Sequence, residues 1–127
     1  MNTFVSNKNR FLFSFFVLSL VFGACRKEEL PVKPEPSPFS VSVENNVTTF
    51  PAGGGTANLV VSGGTDGWWV TVPSNNWCVI TKTYGSGDFK LPVTIKPNTT
   101  GAQREITVTV HPTFNLPPVG IKLVQSN

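Results

Sequence analysis

A chain of 127 residues has room for one domain. Its formal charge of +3 invites a nucleic-acid reading, but the charges are not where that reading needs them. Without Lys8 and Arg10, which precede an apolar run, eight Lys and Arg face seven Asp and Glu; from Phe39 onward five face four, so no basic patch remains and no nucleic-acid partner is expected.

The chain opens with a polar, basic stretch to Arg10, followed by the apolar run Phe11-Leu-Phe-Ser-Phe-Phe-Val-Leu-Ser-Leu-Val21. A membrane-spanning helix needs about 20 apolar residues, and this run is too short for one. Its length, basic flank and small-residue exit predict a secretory signal over 1–24. The exit, Phe22-Gly23-Ala24-Cys25, resembles the lipobox of bacterial lipoproteins, although Phe22 stands where that motif usually has Leu or another aliphatic residue. The resemblance implies cleavage before Cys25 and lipid attachment to its thiol. The following Arg26-Lys27-Glu28-Glu29 resembles the surface-export signal of lipoproteins in one Gram-negative phylum, with Lys27, Glu28 and Glu29 as its carriers. Together these imply an outer-membrane lipoprotein exposed on the cell surface, its membrane partner reached through the lipid anchor.

Pro31, Pro34, Pro36 and Pro38 favour extended polyproline II and cannot build a core. At about 3.1 Å per residue, residues 26–38 reach roughly 40 Å, so 25–38 reads as a lipidated, semi-stiff stalk.

From Phe39 short β-branched runs alternate with turn chemistry, predicting strands near 39–43, 47–50, 57–62, 68–72, 78–83, 89–96, 104–111 and 119–125. Gly-rich separators at 51–55, 63–67 and 85–87, with Pro97-Asn-Thr-Thr-Gly101, supply the turns. Ile106, Val108 and Val110 share one face of their strand, as do Leu91, Val93 and Ile95. The pattern predicts an all-β fold, an immunoglobulin-like β-sandwich over 39–127.

The aromatic residues carry what functional signal there is. Trp77 is expected to fill the core and Cys78 beside it to be a buried apolar filler. With Cys25 lipidated, Cys78 has no partner for a disulfide. Neighbours on a strand point to opposite faces, so Trp68 and Trp69 cannot both enter one core. Trp68 shares a face with Val70 and Val72, which turns it inward and Trp69 outward; a register counted from Trp77 chooses the reverse. Exposed aromatics beside polar side chains suit sugar rings, and Trp69, with Tyr84 and Asn76 as neighbours across nearby loops, is the candidate platform. Catalysis has poor support: His111 is the one histidine, and the acids are scattered singly except Glu28-Glu29. No metal ligand set exists at the needed spacing, and no cofactor is expected.

The order Pro51-Ala-Gly-Gly-Gly55, Trp68-Trp69-Val70, Asn76-Trp77-Cys78-Val-Ile80, Gly85-Ser-Gly87, Val93-Thr-Ile-Lys-Pro-Asn98, Arg104-Glu-Ile-Thr-Val108 and Val124-Gln125 resembles the BACON domain over roughly 47–125. Members are immunoglobulin-like sandwiches of surface and secreted proteins, often beside glycoside hydrolases, and the family name proposes carbohydrate binding. The sequence departs from that setting in carrying no enzyme beside the domain and in a proline-rich loop at 112–118. The resemblance implies a non-catalytic surface lipoprotein that binds mucin-like or dietary glycan. The competing reading is a structural spacer or protein-interaction module, working with other surface proteins and without sugar affinity.

Overall fold

The structure, a computed structural model, describes residues 29–127. The expected signal, the lipid site Cys25 and the export residues Lys27 and Glu28 lie outside them; Glu29 is described and exposed. The compact unit runs from Pro34 to Asn127. Among the described residues no helix is long and apolar enough to cross a membrane.

Nine strands form two sheets: β1 (Ser40–Val43), β2 (Thr49–Phe50), β3 (Gly55–Ser62), β4 (Gly67–Thr71), β5 (Cys78–Val79), β6 (Tyr84–Ser86), β7 (Phe89–Ile95), β8 (Arg104–Pro112) and β9 (Val119–Gln125). One sheet has the order β1-β3-β7-β5 and the other β2-β9-β8-β4-β6. The result is an all-β, immunoglobulin-like sandwich in which every strand pair is antiparallel except β2 with β9.

The pleat accounts for the core. Leu59 and Val61, Leu91 and Val93, Val108 and Val110 and Leu123 alternate inward along four central strands and lose essentially all contact with water. Each such side chain contributes roughly 1.5–3 kcal/mol relative to an exposed one. Trp68 joins them at 2% exposure, its Nε1 donating to the Gly87 carbonyl at 3.0 Å and its ring tilted against Phe89. A buried indole needs a partner for its N–H, and the 85–88 backbone supplies it.

Two sequence expectations change. The strand expected at 78–83 is only two residues long, because the chain beyond Val79 crosses from one sheet to the other and enters β6. That strand, Tyr84–Ser86, stands where the glycines alone predict a turn. Trp77 is not in the core: it is half-buried at the margin, with the Arg104 guanidinium 4.4 Å above its ring. The ring packs against the core side chains and is capped by a cation on top of that contact.

The two ends of the sandwich are fastened differently. At one end Gln125, fully buried, directs Nε2 at the carbonyls of Pro51, Ala52 and Lys96 while its Oε1 accepts from Arg104 Nε at 2.9 Å. At the other, the Asp66 carboxylate accepts the Ser37 backbone N–H at 2.6 Å, and Asp88 accepts those of Gly63 and Gly64. The final residues of the proline-rich segment are therefore tied to the β3–β4 turn.

Candidate functional surface

The outward face of the five-stranded sheet holds the exposed aromatics. Because Trp68 is drawn inward beside Val70, Trp69 must face out, and it keeps 45% of its surface in water. Register then decides its neighbours. Trp69 lies opposite Tyr84 of β6 on one side and opposite His111 of β8 on the other. Three rings therefore occupy one row across adjacent strands, near the end where Ser37 is fastened.

Within the row the contacts differ. The His111 imidazole lies parallel to the Trp69 indole, with centroids 5.0 Å apart and planes 6° apart. Its Nε2 is 2.8 Å from Thr71 Oγ1, one pleat along β4 on the same face, and that contact fixes the imidazole orientation. One face of Trp69 is thus covered, and its exposure comes from the other face and the ring edge. Tyr84, on the short edge strand β6, is 75% exposed.

Beyond the row the face becomes small and polar. Thr71 pairs with Thr109, Thr109 with Gly120, and Thr107 with Lys122. Tall rings therefore border a lower floor of threonines with a glycine in it. One pleat in the other direction, Thr113 donates its N–H to the Gly67 carbonyl at 3.0 Å, and the chain turns away through Phe114 and Asn115 at φ of 60° and 58°. Left-handed backbone is uncommon for a bulky residue. Phe114 holds it while 48% exposed.

Of the sequence-derived candidates, Trp69 and Tyr84 are brought side by side. Asn76 is not brought to them: it is exposed in the 72–77 connection that leaves β4 for β5 of the other sheet, and it shares neither register nor hydrogen bond with either ring. Its neighbour Asn75 holds that connection, its Oδ1 accepting the N–H groups of Trp77 and Cys78. His111, which the sequence offers only as a lone histidine without support for catalysis, is the third member of the row. Alternation from Ile106, Val108 and Val110 already turns it outward; what it stacks on depends on register.

Chemistry beyond contact has little to work with here. Among the described residues no three His, Cys, Asp or Glu side chains converge on a point where a metal would sit. Burial pushes the Cys78 thiol above its ordinary range, making it a poor nucleophile. An open depression of about 310 Å³ lies on the opposite sheet, lined in part by Val60, Phe89, Asp88 and Lys90. Its charged groups are committed, Lys90 to Glu44 and Asp88 to two backbone N–H groups.

No protein-family model matches the chain, and no curated protein matches it either. Solved structures do. The Bacteroides ovatus GH5 xyloglucanase in complex with a XXXG heptasaccharide is similar at 28% identity and a TM-score of 0.57, over 68% of this chain and 19% of that one. WR4, a C. elegans MSP family member, is similar at 15% identity and a TM-score of 0.44, over 68% of this chain and 95% of that one. The chain thus spans about a fifth of the xyloglucanase it resembles.

Proposed function

We propose that this chain is a non-catalytic surface lipoprotein whose BACON-like sandwich binds carbohydrate on the outward face of its five-stranded sheet. The observation that carries the reading is the row Tyr84–Trp69–His111, which presents aromatic surface next to threonine hydroxyls. Sugar rings offer C–H faces that settle on aromatic rings and hydroxyls that bond to polar neighbours. Likeness to part of a xyloglucanase chain held with a heptasaccharide supports carbohydrate contact at the level of the module.

The test is a broad glycan panel on the full chain in detergent, with parent and Trp69→Ala compared. Binding by the parent, lost in the variant while its circular dichroism is kept and its melting point falls by no more than several degrees, is the expected result. No binding anywhere on the panel overturns the reading. The anchor is tested separately: Cys25→Ser removes fatty-acid labelling, and Ala at Lys27, Glu28 and Glu29 hides the lipidated protein from protease added to intact cells.

A second reading, a spacer that carries no sugar, draws on the fastening of Ser37 to Asp66. An ordered base where the chain enters the sandwich is what a spacer needs.

A further inference from the structure

Apart from Lys96, the charged side chains of the sandwich strands and turns have partners, and none of those partners is in the aromatic row. Glu44 pairs with Lys90, and Glu105 with Lys122. Asp66 and Asp88 accept backbone N–H groups, and Arg104 lies on Trp77. Lys82 is two residues from Tyr84, but its amine is turned to the Phe89 ring on the opposite sheet, 4.7 Å from the centroid. Lys96 follows β7, also in the opposite sheet.

Distance along the face reinforces this. Among the strand residues of the outward face, the nearest charges belong to the Glu105–Lys122 pair, and Lys122 lies opposite Thr107. Thr107 is four residues along β8 from His111, about 14 Å at 3.4 Å per residue. That exceeds the screening length of about 8 Å at physiological ionic strength. A carboxylate or sulfate brought over the row would lose water and meet no lysine or arginine in return, which is unfavourable. A neutral sugar has no charge to dehydrate, and its C–H faces gain contact with Tyr84, the open face of Trp69 and the exposed ring edges.

The row also sets a length. It crosses three neighbouring strands, and adjacent strands lie about 4.8 Å apart, so Tyr84 and His111 are separated by roughly 10 Å of sheet. One pyranose ring does not cover that span. Resting on the carbohydrate reading above, we infer that this face takes a neutral, linear oligosaccharide laid across β6, β4 and β8, and that it selects against acidic glycans. The mucin-like candidates bearing sialic acid or sulfate are therefore disfavoured against neutral plant-type or storage polysaccharides.

Calorimetry on the full chain in detergent micelles tests this with neutral oligosaccharides of glucan, mannan and xyloglucan in increasing length, against polygalacturonate and sialylated oligosaccharides of matched length. At least one neutral series binds, more tightly as the chain grows past a single residue, and with no change between low and high salt. Tyr84→Ala weakens the longer ligands about tenfold, the scale of one lost aromatic contact. Lys82→Ala changes nothing. Acidic oligosaccharides binding as tightly as neutral ones, or salt-sensitive binding, overturns the inference and leaves the carbohydrate reading standing. Binding by neither class overturns both.

Discussion

The His111 imidazole stacks on the Trp69 indole with the two rings 6° from parallel, and Thr71 Oγ1 holds the imidazole from the side. The pair stands on the surface, so it adds contact energy without adding core. Trp69→Ala and His111→Ala should each cost about 1 kcal/mol, the scale of one aromatic pair. The double variant should cost less than the sum, because either change removes the same contact. Urea unfolding of the three variants measures this. A loss beyond about 3 kcal/mol for Trp69→Ala would mark it as a core residue instead.

Trp68 is the contrasting case. It is buried at the inner face, and Gly85 of β6 passes so close that a Cβ there would come within 2.5 Å of its ring. Trp68→Ala should therefore destabilise by about 3–5 kcal/mol. Gly85→Ala should cost about 1–3 kcal/mol, since either the indole or the edge strand must move. Thermal melts would show both, with Gly53→Ala as a control at a glycine where a Cβ meets nothing.

How far the sequence discloses this arrangement can be said residue by residue. Period-two alternation in Leu91, Val93 and Ile95, and in Ile106, Val108 and Val110, is enough to orient two central strands. The same alternation turns Trp68 in and Trp69 out once Val70 is taken as a core residue. It does not disclose β6, because Gly85 and Gly87 carry turn chemistry and the pairing with β4 is set by a crossover between sheets. Without β6, Tyr84 has no assigned neighbour. Trp77 is only partly legible for a related reason: it packs against the core from the margin, and its cap, Arg104, is 27 positions away and reaches it only after both sheets have closed.

Stability should fall on both sides of neutrality for different reasons. Hydrogen bonds from Asn58 and Lys90, with the Lys90 charge, hold Glu44 below the ordinary carboxylate range. A lowered folded value stabilises above the unfolded pKa, about 4.3, and is lost as pH falls through the folded one. Cys78 works in the opposite sense. Its thiol is raised by burial, so the unfolded chain loses its proton first and stability falls as pH climbs past about 8.5. Denaturant melts across pH should show Glu44→Gln flattening the acid limb and Cys78→Ala flattening the alkaline one. Native Cys78 should also react slowly with thiol reagents until the protein unfolds.

The junction between the proline-rich segment and the sandwich is a local lock whose parts can be removed one at a time. Asp66 accepts the Ser37 N–H, while the backbone N–H groups of Asp66 and Gly87 close the turn on the carbonyls of Gly63 and Asp66. Gly64 holds φ of 58° and lets Ser37 pack where a Cβ would be 2.6 Å from its Oγ. Asp66→Ala removes only the carboxylate, so the turn's backbone bonds survive and the global melting point should shift by few degrees. A hydrogen bond to a charged group contributes about 1.5–3 kcal/mol when sheltered and less at a partly exposed site such as this. The effect should therefore be local. The Ser37 amide should lose hydrogen-exchange protection and the {1H}-15N NOE values of Glu35, Ser37 and Phe39 should drop, while β3 and β7 stay unchanged. Asp66→Asn, which keeps an acceptor without the charge, should restore part of the order. If residues 35–39 are equally ordered in Asp66→Ala and the parent, the prolines alone hold the segment, and the ordered base that favours the spacer reading owes nothing to Asp66.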